Sequence, residues 1–153
     1  MLFVPPCGRS FEVNERLRLY YCPARRKHRN DVRHLGIYAG KAVRSIGEVA
    51  KVVVCSIDPL AGTVRVVDGD GPLTPDEENR ILQATIEARI RDWHIENGHR
   101  FYLCDRIEPT DFQKTSPQGL RNRRYFDLSD VLGGDVPDRL GVLAESLRDH
   151  TWN

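Results

Sequence analysis

A chain of 153 residues has the length of one domain and can bury a core of its own without staples. Its 40% apolar and 29% charged residues exclude a disordered or fibrous chain, while the net charge of +1 hides an uneven distribution. The longest apolar run, residues 52–55, is far too short to span a bilayer, and no secretory signal follows Met1, so a cytoplasmic location is expected.

In chain order, the alternation and β-formers of residues 17–22 predict a strand that Pro23 stops, feeding a loop over 23–32. Residues 34–39 read as a second strand ending at Gly40. Ala42 and Val43 lead into 46–57, the longest β-rich stretch, where Gly47 marks a bulge or bend. Pro59 and Gly62 stand where a turn wants them, and residues 63–67 resume strand character, so these segments predict a meander. Thr74-Pro-Asp-Glu77 then supplies an N-cap, a proline at the first helical position and a capping box. Leu82, Ile86, Ile90 and Trp93 follow on one stripe at helical spacing, read as core-facing, and Asn97-Gly98 closes the helix. Residues 100–104 and 124–128 read as strands flanking a long polar loop. A last short helix runs from 137 to about 150 with Leu140, Leu143 and Leu147 on one face.

The expected fold class is therefore α+β: a single domain over 1–153 with about six strands in an antiparallel or mixed sheet, one long helix and one C-terminal helix. A sheet of that size tends to curl or close into a small barrel when its edges need protection.

The chemistry-bearing motifs are mostly negative. There is no Gly-x-x-x-x-Gly-Lys-[Ser/Thr] loop, no Gly-x-Gly-x-x-Gly after a strand and no Gly-x-Ser-x-Gly elbow. His94-Ile-Glu96 lacks the Pro-Cys-x-x-Cys that a zinc deaminase needs. Asp68-Gly-Asp70-Gly71 opens like a calcium loop, but Pro72 and Leu73 break the pattern, so it reads as a turn. Cys7, Cys22, Cys55 and Cys104 form no Cys-x-x-Cys pair and read as buried thiols. A mixed site of Cys7, Cys22, His28 and His34 has spacing wider than zinc pairs usually show. No catalytic residue, metal or cofactor is expected.

What remains is the charge pattern. Arg25, Arg26, Lys27, Arg29 and Arg33 crowd one stretch against Asp31 alone, and Lys114, Arg121, Arg123 and Arg124 a second, while Asp58, Asp68, Asp70, Asp76, Glu77 and Glu78 concentrate the opposite sign between them. Residues 110–119 add hydroxyls, Ser116 among them, and a flexible glycine. Such loops bind phosphates through charge and stack bases through aromatics. Tyr21, Tyr38 and Phe112 are the stacking candidates, whereas Phe126 reads as core. The expected phosphate contacts are Arg25, Arg26, Lys27, Arg29, Lys41, Lys114, Ser116, Arg121, Arg123 and Arg124.

The run Gly36-Ile-Tyr-Ala39, then Val43, then Ile46-Gly-Glu-Val49, with Phe101-Tyr-Leu103 and the closing Arg124-Tyr-Phe-Asp-Leu128, resembles the PUA-like superfamily, including its ASCH and EVE branches. The resemblance covers roughly residues 17 to 128, although the ASCH pattern Gly-x-Lys-x-x-Glu-x-Arg is not reproduced around Gly40 and Arg44. It implies a small pseudo-barrel that binds RNA or modified DNA, with Tyr38 and the loop aromatics as pocket candidates; no membrane association is expected of a chain without a spanning apolar run. Two other readings stand beside it. One is a metal-dependent nuclease or ASCH-like hydrolase drawing on Glu48, Lys51 and Asp58 or Asp68. The other is a protein-interaction module using the acidic stretch 68–78.

Overall fold

The computed structural model describes residues 1–153. It is α+β, with eight strands in a mixed sheet and four helices, against the about six strands and two helices expected. In chain order these are β1 (Leu2–Val4), α1 (Phe11–Leu17), β2 (Leu19–Pro23), β3 (His34–Ala39), β4 (Ala42–Asp58), β5 (Thr63–Gly69), α2 (Pro75–Ile90), β6 (His99–Lys114), β7 (Arg124–Phe126), α3 (Leu128–Leu132), α4 (Leu140–Leu147) and β8 (Thr151–Trp152). The chain forms two compact units interleaved in sequence: residues 1–18, 30–49 and 104–153 make the first, and residues 19–29 and 50–103 the second.

In the first unit, β1 lies parallel to β3 and antiparallel to β7, and β3 pairs antiparallel with the start of β4. The two-residue β8 pairs in parallel with the end of β6, Gln113 facing Thr151 and Lys114 facing Trp152. Leu2, Val4, Val43, Ile46 and Phe112 pack with Leu140, Leu143 and Leu147 of α4, so the predicted leucine face of the last helix is the buried one. Gly47 is not at a bulge. A Cβ there would stand 2.7 Å from the Cys104 sulfur and 2.9 Å from Ile107 Cγ2, so glycine lets β4 approach β6 closely. The bulges fall instead at Ile37/Tyr38 and Val54/Cys55.

In the second unit, β2 pairs antiparallel with the start of β6, and β5 with the end of β4. The helix α2 begins as predicted: Thr74 accepts from the Glu77 amide at 3.2 Å, and Glu77 accepts from the Thr74 amide at 2.8 Å. Its buried face is not the predicted one. Ile81, Ala84, Thr85 and Ala88 are buried, whereas Ile86 is 38% and Ile90 80% exposed. Alanines let a helix sit close, and two polar residues of that face arrive with partners: Glu77 with Lys51 at 2.6 Å and Arg80 with Asp76 at 2.9 Å.

Candidate nucleic-acid interface

The second basic segment belongs to the first unit, where two of its cations, Lys114 and Arg124, lie at Trp152. The hairpin between β3 and β4 turns on Gly40 and Lys41, both at positive φ (56° and 63°), the turn geometry whose twist suits flanking strands. Arg44 braces this turn, donating from Nε to the Ala39 carbonyl at 3.0 Å and from Nη2 to the Gly40 carbonyl at 2.9 Å. Its Nη1 bonds Asp111 at 2.9 Å, so the local acid is taken up by Arg44 while Lys41 stands exposed at the tip.

The Lys41 carbonyl accepts the Lys114 amide at 2.8 Å. The Lys114 ammonium lies 5.7 Å from the centroid of the Trp152 ring, and the Arg124 guanidinium lies 5.8 Å from the same ring. At partly exposed sites such contacts are worth about 0.5–1 kcal/mol each, enough to bias where two flexible cations rest. Trp152 is itself held: its indole N–H donates to the Phe112 carbonyl at 3.1 Å, and the rings of Tyr38, Phe112 and Phe126 surround it at 5.1–6.1 Å. The Tyr38 hydroxyl accepts the Leu120 amide at 3.1 Å, which ties down the arginine-bearing loop. Lys41, Lys114, Arg121, Arg123 and Arg124 form no ion pair with an acid.

Two stacking candidates need correction. Phe112 is 0% and Tyr38 6% exposed, so both rings are core that supports Trp152 and neither is an open platform for a base. Phe126, read from the sequence as core, does pack against this cluster. Ser116 is half-buried in the loop after β6. Trp152 was not among the sequence candidates, and neither was Arg44 as the brace of the turn.

The first basic segment belongs to the second unit. Arg25, Arg26, Lys27 and Arg29 are exposed, and the loop begins with the Ala24 amide donating to Gly98 at 2.8 Å and the Arg26 amide to Pro23 at 3.1 Å. Beneath it, the buried Arg100 of β6 donates from Nη2 to the Ala24 carbonyl at 3.1 Å and from Nη1 to the Arg26 carbonyl at 3.3 Å. Tyr21 is half-buried with its ring 6.0 Å from that of Phe101. Burial pushes the Tyr21 hydroxyl pKa up, with Arg91 opposing and Glu87 adding to the rise.

The components of the nuclease reading are otherwise engaged. Lys51 pairs with Glu77, and Asp58 accepts the amides of Leu60 and Ala61 at 3.0 and 3.1 Å, a turn-capping role. Asp70 accepts the Val52 amide at 3.0 Å and Asp68 that of Gly69 at 2.9 Å, and Asp68 and Gly69, read from the sequence as part of a turn, instead end β5 paired with Val54 and Val53. No three His, Cys, Asp or Glu side chains stand close enough together to hold a metal ion. Burial pushes the thiols of Cys7 and Cys55 up to about 11, which leaves them protonated and unreactive at neutral pH. Glu48 sits with His34 in a cleft of about 470 Å³ in the first unit. The His34 Nδ1 is buried there without a partner, and burial holds the imidazole pKa below its ordinary value, with Glu48 opposing and Arg33 reinforcing the drop.

No family model and no solved structure matches the chain. It is similar to the exosome complex component Rrp4 of Pyrococcus horikoshii, with 20% identity over 93 residues that cover 61% of this chain and 35% of that protein. It is also similar to Rrp4 of Pyrococcus furiosus, with 20% identity over 88 residues, 58% of this chain and 33% of that protein. The chain thus spans about a third of the length of the curated relatives it matches.

Proposed function

We propose that the protein is a PUA-like domain that binds nucleic acid, a modified base or a structured RNA, without chemistry of its own. The observation that carries this reading is that five cations of the first unit, Lys41, Lys114, Arg121, Arg123 and Arg124, pair with no acid, and that two of them, Lys114 and Arg124, lie against Trp152. In a chain with almost as many acids as bases, cations left without acids keep their full charge for a ligand, and phosphate is the anion that arrives in rows. Arg25, Arg26 and Lys27 offer a second such surface, with the half-buried Tyr21 the stacking candidate nearest in sequence. The likeness to exosome complex components supports the same class of ligand.

The test is binding of labelled RNA and DNA, stem-loop and single-stranded, over a salt series. Replacing Arg121, Arg123 and Arg124 together by Gln lowers affinity for every sequence and flattens the salt dependence by about two to three units on a log–log plot, since each phosphate contact contributes about 0.7–0.9. Binding insensitive to salt, or unchanged in the triple variant, overturns the reading. Incubation of the same substrates with magnesium or manganese separates a binder, which leaves them intact, from a nuclease.

A further inference from the structure

We infer that Arg100 is a positioning residue for a phosphate-binding loop: the buried guanidinium seats Ala24 and Arg26 so that Arg25, Arg26 and Lys27 face a polyanion together. The inference rests on the nucleic-acid reading above and assigns a residue to it that carries no exposed charge of its own.

Arg100 is 7% exposed, and it forms no ion pair with an acid. A buried cation is ordinarily matched by a carboxylate, because desolvation is otherwise uncompensated. Here the only acceptors are two main-chain carbonyls, those of Ala24 and Arg26, reached by the two arms of one planar head. Both carbonyls turn inward, toward Arg100. The side chains of Arg25, Arg26 and Lys27 are exposed.

Three like charges on consecutive residues repel one another and favour a disordered loop. Seating the loop from below fixes the main chain where the side-chain repulsion would spread it. It does so with a fourth cation, which adds to the positive field. A carboxylate in place of Arg100's head would set the opposite charge beneath the three. A loop whose internal brace is itself positive is suited to an anion brought from outside.

Lysine at position 100 keeps the charge but cannot hold two carbonyls with one planar fork, and methionine keeps the stem and loses both. The experiment measures affinity of the full chain for a labelled single-stranded RNA over a KCl series, with unfolding curves for each variant. Arg100→Met weakens binding about tenfold, and the salt slope falls by about one to two units as the loop cations lose their phosphates. Arg100→Lys falls between it and the parent. Replacing Arg25, Arg26 and Lys27 by Gln in the parent sets the limit that the Arg100→Met slope approaches.

A slope is not moved by a change in stability alone, so a folded Arg100→Met that binds with the parent's affinity and slope overturns the inference. Should Arg100→Met fail to fold, Arg100→Lys decides: parent-like affinity and slope overturn it, a reduced slope sustains it. If the loop triple binds as the parent does, the loop has no phosphate contacts and the inference fails while the Trp152 surface stands. If the parent itself binds no nucleic acid, the underlying reading falls with it.

Discussion

The Leu120 amide donates to the Tyr38 hydroxyl at 3.1 Å, so a buried side chain of β3 holds the loop that carries Arg121 and Arg123. Tyr38→Phe removes that acceptor and keeps the ring against Trp152, whose centroid lies 6.1 Å away. The expected cost is about 0.5–1.5 kcal/mol in urea unfolding, since the amide sits at a partly buried position. Nucleic-acid affinity should fall a few-fold with it because the arginines are less well placed. A variant as stable and as tight-binding as the parent would show that the bond does not position the loop.

Trp152 joins the core to the basic surface, so two substitutions there separate its roles. Trp152→Ala empties a largely buried position and is expected to cost about 3–5 kcal/mol. Trp152→Phe keeps a ring beneath Lys114 and Arg124 but leaves the Phe112 carbonyl without its indole donor at 3.1 Å, a loss of about 1–3 kcal/mol. Denaturant midpoints at constant slope check both. If Trp152→Phe proves as damaging as Trp152→Ala, the indole N–H that both variants lose, and not the ring packing that Phe keeps, dominates.

Much of this architecture was legible where local signals and tertiary packing agree. The β3–β4 hairpin announces itself by β-formers on both sides of Gly40-Lys41, the α2 start by its capping box, and the last helix by Leu140, Leu143 and Leu147. The short elements were not legible. In β8, Thr151–Trp152 gains its place from pairing with Gln113 and Lys114 and from the packing of Trp152, and α1 starts after an N-cap, Ser10, that makes no side-chain cap bond. The α2 face was misread because period alone favours the large residues Leu82, Ile86 and Ile90, while close approach selected Ala84 and Ala88. At the candidate site the charges could be read and their grouping could not. An aromatic beside arginines looks the same in sequence whether it is a platform or, like Phe112, fully enclosed.

His34 gives the chain a pH dependence on the acid side of neutrality. The imidazole pKa lies below its ordinary value of about 6.5 because burial disfavours the charged form, with Arg33 adding to the drop and Glu48 opposing it. The unfolded chain therefore takes up the proton first, and stability falls as pH drops through about 6.5 toward the lowered folded value. Protonation would also place an N–H at the buried Nδ1, which has no acceptor. His34→Gln should flatten the stability profile in that window, measured by urea unfolding at a series of pH values. Parallel profiles for parent and variant would contradict the assignment.

The Lys51–Glu77 pair governs a lower window. Burial by itself would raise the Glu77 pKa, but hydrogen bonds from Lys51 and from the Thr74 amide and hydroxyl outweigh it and hold the carboxyl below its ordinary 4.5. A depressed folded value contributes stability that is complete above 4.5 and is lost as pH falls through the folded value. Glu77→Gln keeps the shape and leaves the ammonium of Lys51, a quarter exposed, facing a neutral amide, so the cost at neutral pH is about 1–3 kcal/mol, less than for a fully buried pair. The parent and Glu77→Gln should converge in stability on acidification below 4.5, because protonation removes from the parent what the substitution has already removed. A stability gap that stays constant across the whole acid range in which the fold persists would mean that the fit of the substituted amide, and not the lost charge, sets the difference.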